Sequence, residues 1–355
     1  MKIIVNDVAA SKGGALSILK DFYRYIAGDK ECQKHRWIFL ISGDYLESTE
    51  HIEVRKLEYV KKSWFHRIAY DFKGVANIVR KEKADYVVSL QNTISQNLSV
   101  PQAVYIHQSI PFQNLKKFSF LKSEERIYAV YQYIIGKIIK VSARKADMVI
   151  VQTEWMKDAV AKYAHCNKKK IVVAYPSFEK NELLKSSQNG NAKGSYRSFF
   201  YPAFDAVYKN QILIDKACML LKEWNYTEYE VELTVERKYS SRNIYSIGGI
   251  SHEEVMKRYS KSVLIFPSYI ETIGLPLIEA MQQRSIILVA DCPYAHETLG
   301  VYSNAYYFNP FEPKELAILM KKVLDGKIQY KEDRYVIKEK KSSWNIFIVK
   351  ILSGE

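Results

Sequence analysis

The densest chemistry in this sequence lies in one stretch, Pro267-Ser268-Tyr269-Ile270-Glu271-Thr272-Ile273-Gly274-Leu275-Pro276-Leu277-Ile278-Glu279-Ala280-Met281. An apolar strand candidate ends at Phe266, Glu271 and Gly274 fall in a loop, and a helix is predicted to begin near Pro276. Proline suits a first helical turn, where its missing N–H would have no partner anyway. Loop amides ahead of a helix N-terminus make a ready anion site. Glu271 and Glu279 are eight residues apart, one before the helix and one near the end of its first turn. Both can therefore face one crevice at different depths, where carboxylates accept hydrogen bonds from hydroxyl groups. Two glutamates at this spacing are, alone, an ordinary exposed pair. The strand–loop–helix setting makes them a candidate site.

Fewer residues elsewhere invite a chemical reading. Gly13-Gly14 stands before a helical pattern through Leu16, Leu19 and Phe22. With no Cβ, such glycines admit a phosphate close to the backbone; a plain turn reads equally well. His107 ends a strand candidate in Val104-Tyr105-Ile106-His107-Gln108-Ser109, although an isolated histidine is most often structural. His296 sits in a loop beyond another strand candidate, with capping or packing as the alternative. The four cysteines, Cys32, Cys166, Cys218 and Cys292, form no C-x-x-C pair, which argues against a zinc ribbon or redox motif. The seven histidines include no H-E-x-x-H and no pair at helical metal-ligand spacing, so no metal site is expected.

The elements that must position these residues follow an α/β rhythm. Strand candidates at Lys2 to Val5, Trp37 to Ile41, Tyr86 to Leu90, Ala103 to His107 and Met148 to Gln152 alternate with helical periodicity. Short, wholly apolar strands of this kind belong to parallel sheets covered on both faces. A polar, Gly/Ser/Asn-rich stretch from Lys185 to Ser198 reads as a linker. The alternation then restarts at Phe199 to Pro202, Glu230 to Thr234, Asn243 to Ile247, Val263 to Phe266, Ile286 to Ala290 and Tyr306 to Asn309. Two doubly wound domains are predicted, with ligands beyond the carboxyl ends of the strands in a cleft between them.

Length and composition agree: 355 residues, 48% hydrophobic and 26% charged, is ordinary globular material for about two domains. No apolar run approaches the ~20 residues of a spanning helix. Asn6 and Asp7 interrupt the N-terminal apolar run, so no signal peptide is read there, and reduced thiols in the cytosol are expected. The net charge of +14 is lopsided, with +12 in residues 1–180 and +2 in residues 181–355. Such a field favours anionic partners. No zinc finger, basic zipper or RNA-binding aromatic signature accompanies it, so nucleic acid is not an expected partner.

With these residues in place, the sequence resembles the family 4 glycosyltransferases of the two-domain GT-B fold, of the retaining E-x7-E type found in bacterial polysaccharide assembly. Glu271 to Glu279 matches the E-x7-E pattern. Tyr201 to Asn210 is similar to the first strand and loop of the family's second domain, and Ala290 to Glu297 to a later strand and loop. The resemblance covers nearly the whole chain. It implies two Rossmann-like domains facing a central cleft: an acceptor-side domain at 1–185, a nucleotide-sugar domain at 186–335, and a C-terminal helix within 336–355 that crosses back to the first. It also implies roles. Glu271, Thr272 and the amides of Ile273, Gly274 and Leu275 would hold the donor sugar and its distal phosphate, and Glu279 the ribose. Lys209, followed by Asn210, would neutralise the diphosphate; Gly13 and Gly14 would let it approach; His107 would touch the donor sugar. His107, Glu271 and Lys209 are thus the implied catalytic residues, with no metal and no cofactor. One departure stands out: many members place an arginine five residues before the lysine, and here that residue is Phe204. Arg237 or Lys238 is a candidate substitute. The nucleobase would meet backbone near Gly248 and Gly249.

The implied function is transfer of a hexose or deoxyhexose, with retention, from a nucleotide-sugar to a glycan or polyprenyl-linked acceptor. A small soluble acceptor is the alternative within the class, and a nucleic-acid-binding protein the alternative outside it. Residues 110–145 carry a net charge of +6, with Phe112, Phe118 and Phe120 interleaved. An acidic membrane surface is therefore an expected partner, with the protein cytoplasmic and peripheral on the inner face of the cell membrane. The stripe Ile127, Val130, Ile134, Ile138 and Val141 that follows fits a helix and is expected to pack in the core.

Overall fold

The computed structural model describes residues 1–11, 13–175, 196–332 and 343–353, apart from the Trp64 side chain. It divides into two units, Met1–Phe178 with Lys340–Glu355, and Glu179–Glu339. The linker expected across residues 185–198 lies outside the described residues up to 195, as do both sequence-drawn domain boundaries.

The first unit is built on a seven-stranded parallel sheet: β1 (Lys2–Asn6), β2 (Arg36–Ile41), β3 (Ile52–Lys56), β4 (Tyr86–Ser89), β5 (Gln102–Ile106), β6 (Met148–Val151) and β7 (Ile171–Val173), ordered β3-β2-β1-β4-β5-β6-β7. Helices α1 (Gly13–Gly28), α2 (Trp64–Ala69), α3 (Val75–Glu82), α4 (Arg126–Ala129), α5 (Gly136–Lys145) and α6 (Glu154–Ala164) connect them. Ile3, Ile4 and Val5 are fully buried, as β-branched residues are when a strand is covered on both faces. Because the chain leaves β1 toward β2 and returns to β4 on its other side, the order reverses between β1 and β4. Edge strands β3 and β7 escaped the sequence reading: Ile52–Lys56 carries three charged residues and Ile171–Val173 only three residues in all.

The second unit repeats the plan with β8 (Ser198–Tyr201), β9 (Glu230–Leu233), β10 (Ile244–Ser246), β11 (Val263–Phe266), β12 (Ile287–Ala290) and β13 (Ala305–Phe308), in the order β10-β9-β8-β11-β12-β13. Its helices are α7 (Gln211–Glu223), α8 (His252–Tyr259), α9 (Leu275–Gln282), α10 (Pro293–Leu299) and α11 (Pro313–Leu324). Here the order reverses between β8 and β11. All pairings in both sheets are parallel, and the six strands of this unit fall where the sequence placed them, within about one residue.

The last helix, α12 (Trp344–Ser353), packs into the core of the first unit. Trp344 is fully buried, 5.1 Å from the Phe22 ring and 5.5 Å from Tyr105, and its indole N–H donates to Asp21 Oδ2 at 2.7 Å. Burying a ring of that size without stranding its N–H is a large favourable term.

Most of the stripe expected in the core faces solvent instead: Ile127, Ile134 and Ile138 are all more than half exposed, while Val130 and Val141 are half-buried. The core takes Ala129, Gly136, Ile139 and Ala143. Small residues win that face because the approach is close: a Cβ at Gly136 would stand 3.0 Å from Pro111 Cβ. Phe112 and Phe118 are likewise buried, leaving Phe120 as the exposed phenylalanine of the three.

Candidate functional site

The chain leaves β8 at Tyr201 and makes a short turn over Val207–Lys209. Asn210 then adopts the left-handed conformation (φ 60°, ψ 33°) ahead of α7. Asparagine tolerates that region better than most residues. Its amide donates to the carbonyls of Pro267 (3.3 Å) and Pro310 (2.7 Å), so it ties together the loops after β8, β11 and β13. The turn delivers Lys209 to the point where the strand order reverses, and the loop after β11 brings Glu271 to the same point.

There the two side chains meet. Lys209 Nζ lies 2.5 Å from Glu271 Oε1, which also accepts from Ser268 Oγ at 2.7 Å. The lysine is only 9% exposed and its ammonium stands among aromatic rings, 5.1 Å from Phe204, 5.7 Å from Tyr208 and 5.9 Å from Phe266. Ring faces attract a cation, and a desolvated site strengthens that attraction. Two buried phenols brace the loops: Tyr201 donates to the Lys209 carbonyl and Tyr294 to that of Ser268. Burial holds both phenols well above their usual range, so they remain donors.

Gly274 caps α9 with φ +73°, and a Cβ there would meet Leu277 Cδ1 at 3.2 Å and the Tyr294 ring at 3.3 Å. Both the backbone angle and the space require glycine. The Ile273 carbonyl is pinned by Thr298 Oγ1 at 2.5 Å. Glu279 sits one turn into α9, half-buried, accepting from Tyr259 OH at 3.1 Å with His252 Nδ1 3.9 Å away. Burial pushes its carboxyl above the ordinary carboxylate range. His252 opens α8 just after Gly248, which has φ +69°, and Gly249. Among the described residues no group of three or more His, Cys, Asp or Glu gathers as a metal site.

The structure thus joins Lys209, Asn210, Glu271 and the Gly274-headed helix in one place, with Glu279 further along the same helix. Among the described residues, Lys209 is the cation seen over the Phe204, Tyr208 and Phe266 rings. Phe204, five residues before the lysine, is 60% exposed, and Arg237 Nη1 is 3.3 Å from Asp205 Oδ1. His296 pairs with Asp291 at 2.6 Å and stacks on Tyr307 at 4.3 Å. Ser268 was missed by the sequence reading; a serine three residues before Glu271, in a loop, leaves no signal.

Gly13, Gly14 and His107 belong to the first unit. Gly13 needs its φ of +63°, whereas nothing lies within 4 Å of a Cβ built at Gly14, so the chain itself makes no steric demand for glycine there. His107 follows β5. Asn92 Oδ1 accepts from the backbone N–H groups of His107 (2.8 Å) and Gln108 (3.0 Å), so Asn92 Nδ2 must donate to His107 Nε2, 3.1 Å away. That places the imidazole proton on Nδ1, which is buried without a partner. Burial pushes the ring down to about 4, and it is neutral at physiological pH.

Comparison with known proteins agrees with this architecture. Residues 206–343 match the family model described as glycosyl transferases group 1. That match falls almost wholly within the second unit and spans β9 to β13 of its sheet. Over 229 residues the chain is 25% identical to the O-antigen chain mannosyltransferase RfbU of Salmonella typhimurium, covering 62% of this chain and 60% of that one. Among solved structures, the lipopolysaccharide outer core galactosyltransferase WaaB in its apo form is similar across 100% of both chains, with 14% identity and a TM-score of 0.64. Alr3699/HepE of Anabaena, in complex with UDP and glucose, is similar over 92% of this chain and 91% of that one, with 16% identity and a TM-score of 0.61. These likenesses show the GT-B fold: two parallel α/β sheets of seven and six strands.

Proposed function

We propose that this chain is a retaining glycosyltransferase that carries a hexose or deoxyhexose from a nucleotide-sugar to a glycan or polyprenyl-linked acceptor during surface polysaccharide assembly. The observation that carries the reading is the contact of Lys209 with Glu271 at the strand-order reversal of a glycosyltransferase group 1 domain. RfbU acts on O-antigen chains and HepE is solved with UDP and glucose, which supports a nucleotide-sugar donor and a glycan acceptor.

On this reading Lys209 takes the donor's diphosphate and stabilises the charge that grows on it as the glycosidic bond breaks. Glu271, relieved of part of its hold on Lys209, accepts from the sugar hydroxyls, and the helix end at Gly274 faces the distal phosphate. Glu279 accepts from the ribose. The leaving phosphate oxygen takes the acceptor hydroxyl's proton on the face from which it departs, so configuration is retained without a protein base. The lysine and helix end supply the positive charge, so no metal is invoked. Gly14 leaves open space at the backbone for a ligand's phosphate, and His107 offers Nδ1–H to a sugar oxygen.

The test is a transfer assay with a panel of UDP-, GDP- and dTDP-sugars, run with and without chelator. Lys209→Ala should weaken nucleoside diphosphate binding far more than nucleoside binding. Equal losses would place Lys209 away from the diphosphate, and chelator-sensitive transfer would overturn the metal-free reading.

The same assembly setting favours docking at an acidic membrane. Leu121 is 91% exposed, and Phe120, Ile127, Ile134 and Ile138 are exposed as well, in the same stretch of chain as the exposed Lys117, Lys122 and Lys137. Lys116 and Lys122 also reach the buried Glu125, at 3.2 and 3.7 Å, which spends part of their charge. Basic residues beside an anionic leaflet contribute about 1 kcal/mol each. No described helix is long and apolar enough to cross a membrane. Sedimentation with anionic vesicles tests the docking. Salt-sensitive binding lost in Leu121→Glu/Ile134→Glu supports it, and absence of binding at low salt overturns it.

A further inference from the structure

The first unit has its own point of strand-order reversal, between β1 and β4, and nothing in the motif region accounts for what is gathered there. Asp7 follows β1 and is only 2% exposed. One of its oxygens accepts from the Ala10 N–H at 3.2 Å, while the carbonyl of the same Ala10 accepts from Lys61 Nζ at 3.4 Å. The carboxylate and the ammonium are thereby held on either side of a single residue. Arg67, on α2, binds Asp71 Oδ2 through Nε at 2.8 Å, and Asp71 Oδ1 accepts from Gln91 Nε2 at 3.3 Å. Gln91 lies just past β4, 6% exposed, and its Oε1 is buried without a partner.

Three facts about this cluster ask for a ligand. A buried carbonyl oxygen left unmatched is costly, so an unmatched Gln91 Oε1 at a sheet's carboxyl edge is well explained by a donor that arrives from outside. Arg67 is matched by Asp71, whereas Lys61 donates to a carbonyl, leaving an ammonium whose charge no contacting carboxylate among the described residues cancels. Burial holds the Asp7 carboxyl up near 7, against the Ala10 hydrogen bond and the pull of Arg67 and Lys61, so at neutrality it carries only part of a compensating negative charge. The cluster also lies at the kind of crevice where open α/β sheets bind ligands.

We propose that Asp7, Lys61, Arg67 and Gln91 form a subsite for a polyhydroxylated ligand bearing a phosphate or diphosphate, with Lys61 and Arg67 toward the anion and Gln91 Oε1 accepting from a hydroxyl. Read with the sugar-transferring function, on which only this naming rests, the ligand is the acceptor, and the acceptor is a phosphorylated sugar rather than a neutral one. A small phosphorylated sugar and a lipid-linked one present the same group.

Calorimetry on the full chain with glucose 1-phosphate, glucose and inorganic phosphate tests the site. Glucose 1-phosphate should bind at least about tenfold more tightly than glucose. Lys61→Gln, an exposed position that puts no fold element at risk, should erase that preference and leave glucose unchanged. Gln91→Leu should weaken both sugars and leave inorganic phosphate unchanged. The proposal is overturned if glucose 1-phosphate fails to bind at millimolar concentration, or if Lys61→Gln binds it as the wild type does. Nucleoside diphosphate affinity, measured on the same samples, separates the two readings: its loss in Lys209→Ala speaks to the donor site, and its constancy in Lys61→Gln shows that the two sites are distinct. Flotation then distinguishes the sources. Phosphatidylcholine vesicles bearing a polyprenyl diphosphate-linked hexose are compared with phosphatidylserine vesicles of equal charge. A preference for the first that Lys61→Gln abolishes identifies a lipid-linked ligand; no preference, with glucose 1-phosphate still bound through Lys61, identifies a soluble one.

Discussion

The two units solve one structural problem differently. Each is a parallel sheet whose strand order reverses once, and each places a lysine and a carboxylate at the reversal. In the second unit Lys209 and Glu271 touch, inside a set of aromatic rings, and the partners come from two loops fixed by Asn210 and by buried tyrosines. In the first, Asp7 and Lys61 share a backbone residue without touching, and Arg67 and Gln91 are drawn in through Asp71. The difference teaches that a charged pair packed among rings satisfies itself within the chain. The looser cluster keeps an unmatched oxygen at Gln91 Oε1. The C-terminal helix adds a further asymmetry, since it completes the core of the first unit alone.

That last contrast predicts the largest effect. Trp344→Ala should destabilise the first unit by about 3–5 kcal/mol, the usual cost of emptying a large aromatic site. Nucleoside diphosphate binding by the second unit should persist. Urea unfolding followed together with ligand titration checks this, and parallel loss of both would merge the units into one cooperative body.

The buried Asp7 gives the first unit a pH signature of its own. Its carboxyl is raised from 3.8 to about 7 in the folded chain, so folding favours the protonated form. Its stability contribution is complete below pH ~4 and is lost as pH rises through ~7. Asp7→Asn, which stays neutral, should match the wild type near pH 4 and exceed it at pH 8 by up to about 4 kcal/mol. Denaturant midpoints at both values decide; a variant no more stable at pH 8 would place the carboxylate in a better-solvated site. His107 runs the other way: with its ring lowered from 6.5 to about 4, its contribution is present above 6.5 and lost as pH falls through 4.

In the second unit, Glu279→Gln should cost about 1.5–3 kcal/mol of nucleotide affinity if the ribose bonds to a charged carboxylate. Unchanged affinity would remove Glu279 from the donor site. The smallest effect belongs to Ser251, whose Oγ caps α8 by accepting from the Glu254 N–H at 3.2 Å. Ser251→Ala should cost about 1 kcal/mol in thermal or urea unfolding and shift nucleotide affinity only through His252.

What was legible in the sequence follows from how locally each feature is encoded. The second-unit strands and the Pro267 to Met281 loop are contiguous, so apolar runs, Gly274 and Pro276 announced them. The Lys209 and Phe204 positions could be placed by resemblance because they sit in the same strand-and-loop stretch. The amphipathic stripe from Ile127 to Val141 was equally visible, but periodicity fixes which residues share a face and not which face is buried. The close approach of Pro111 to Gly136 decided that, turning Ile127, Ile134 and Ile138 outward. Edge strands β3 and β7 were too charged or too short to register.

By itself, then, the sequence determined two α/β units in tandem and a strand–loop–helix turn headed by Gly274 and Pro276, since both depend on side-chain period and on glycine and proline at fixed local positions. Tertiary structure alone decided that Glu271 meets Lys209 sixty-two residues away, that Trp344 closes the core begun by Phe22, and that Asp7, Lys61 and Gln91 converge. Such contacts depend on which strands become neighbours and where their ends point. Strand neighbours are chosen by the whole sheet, which no local run of residues contains.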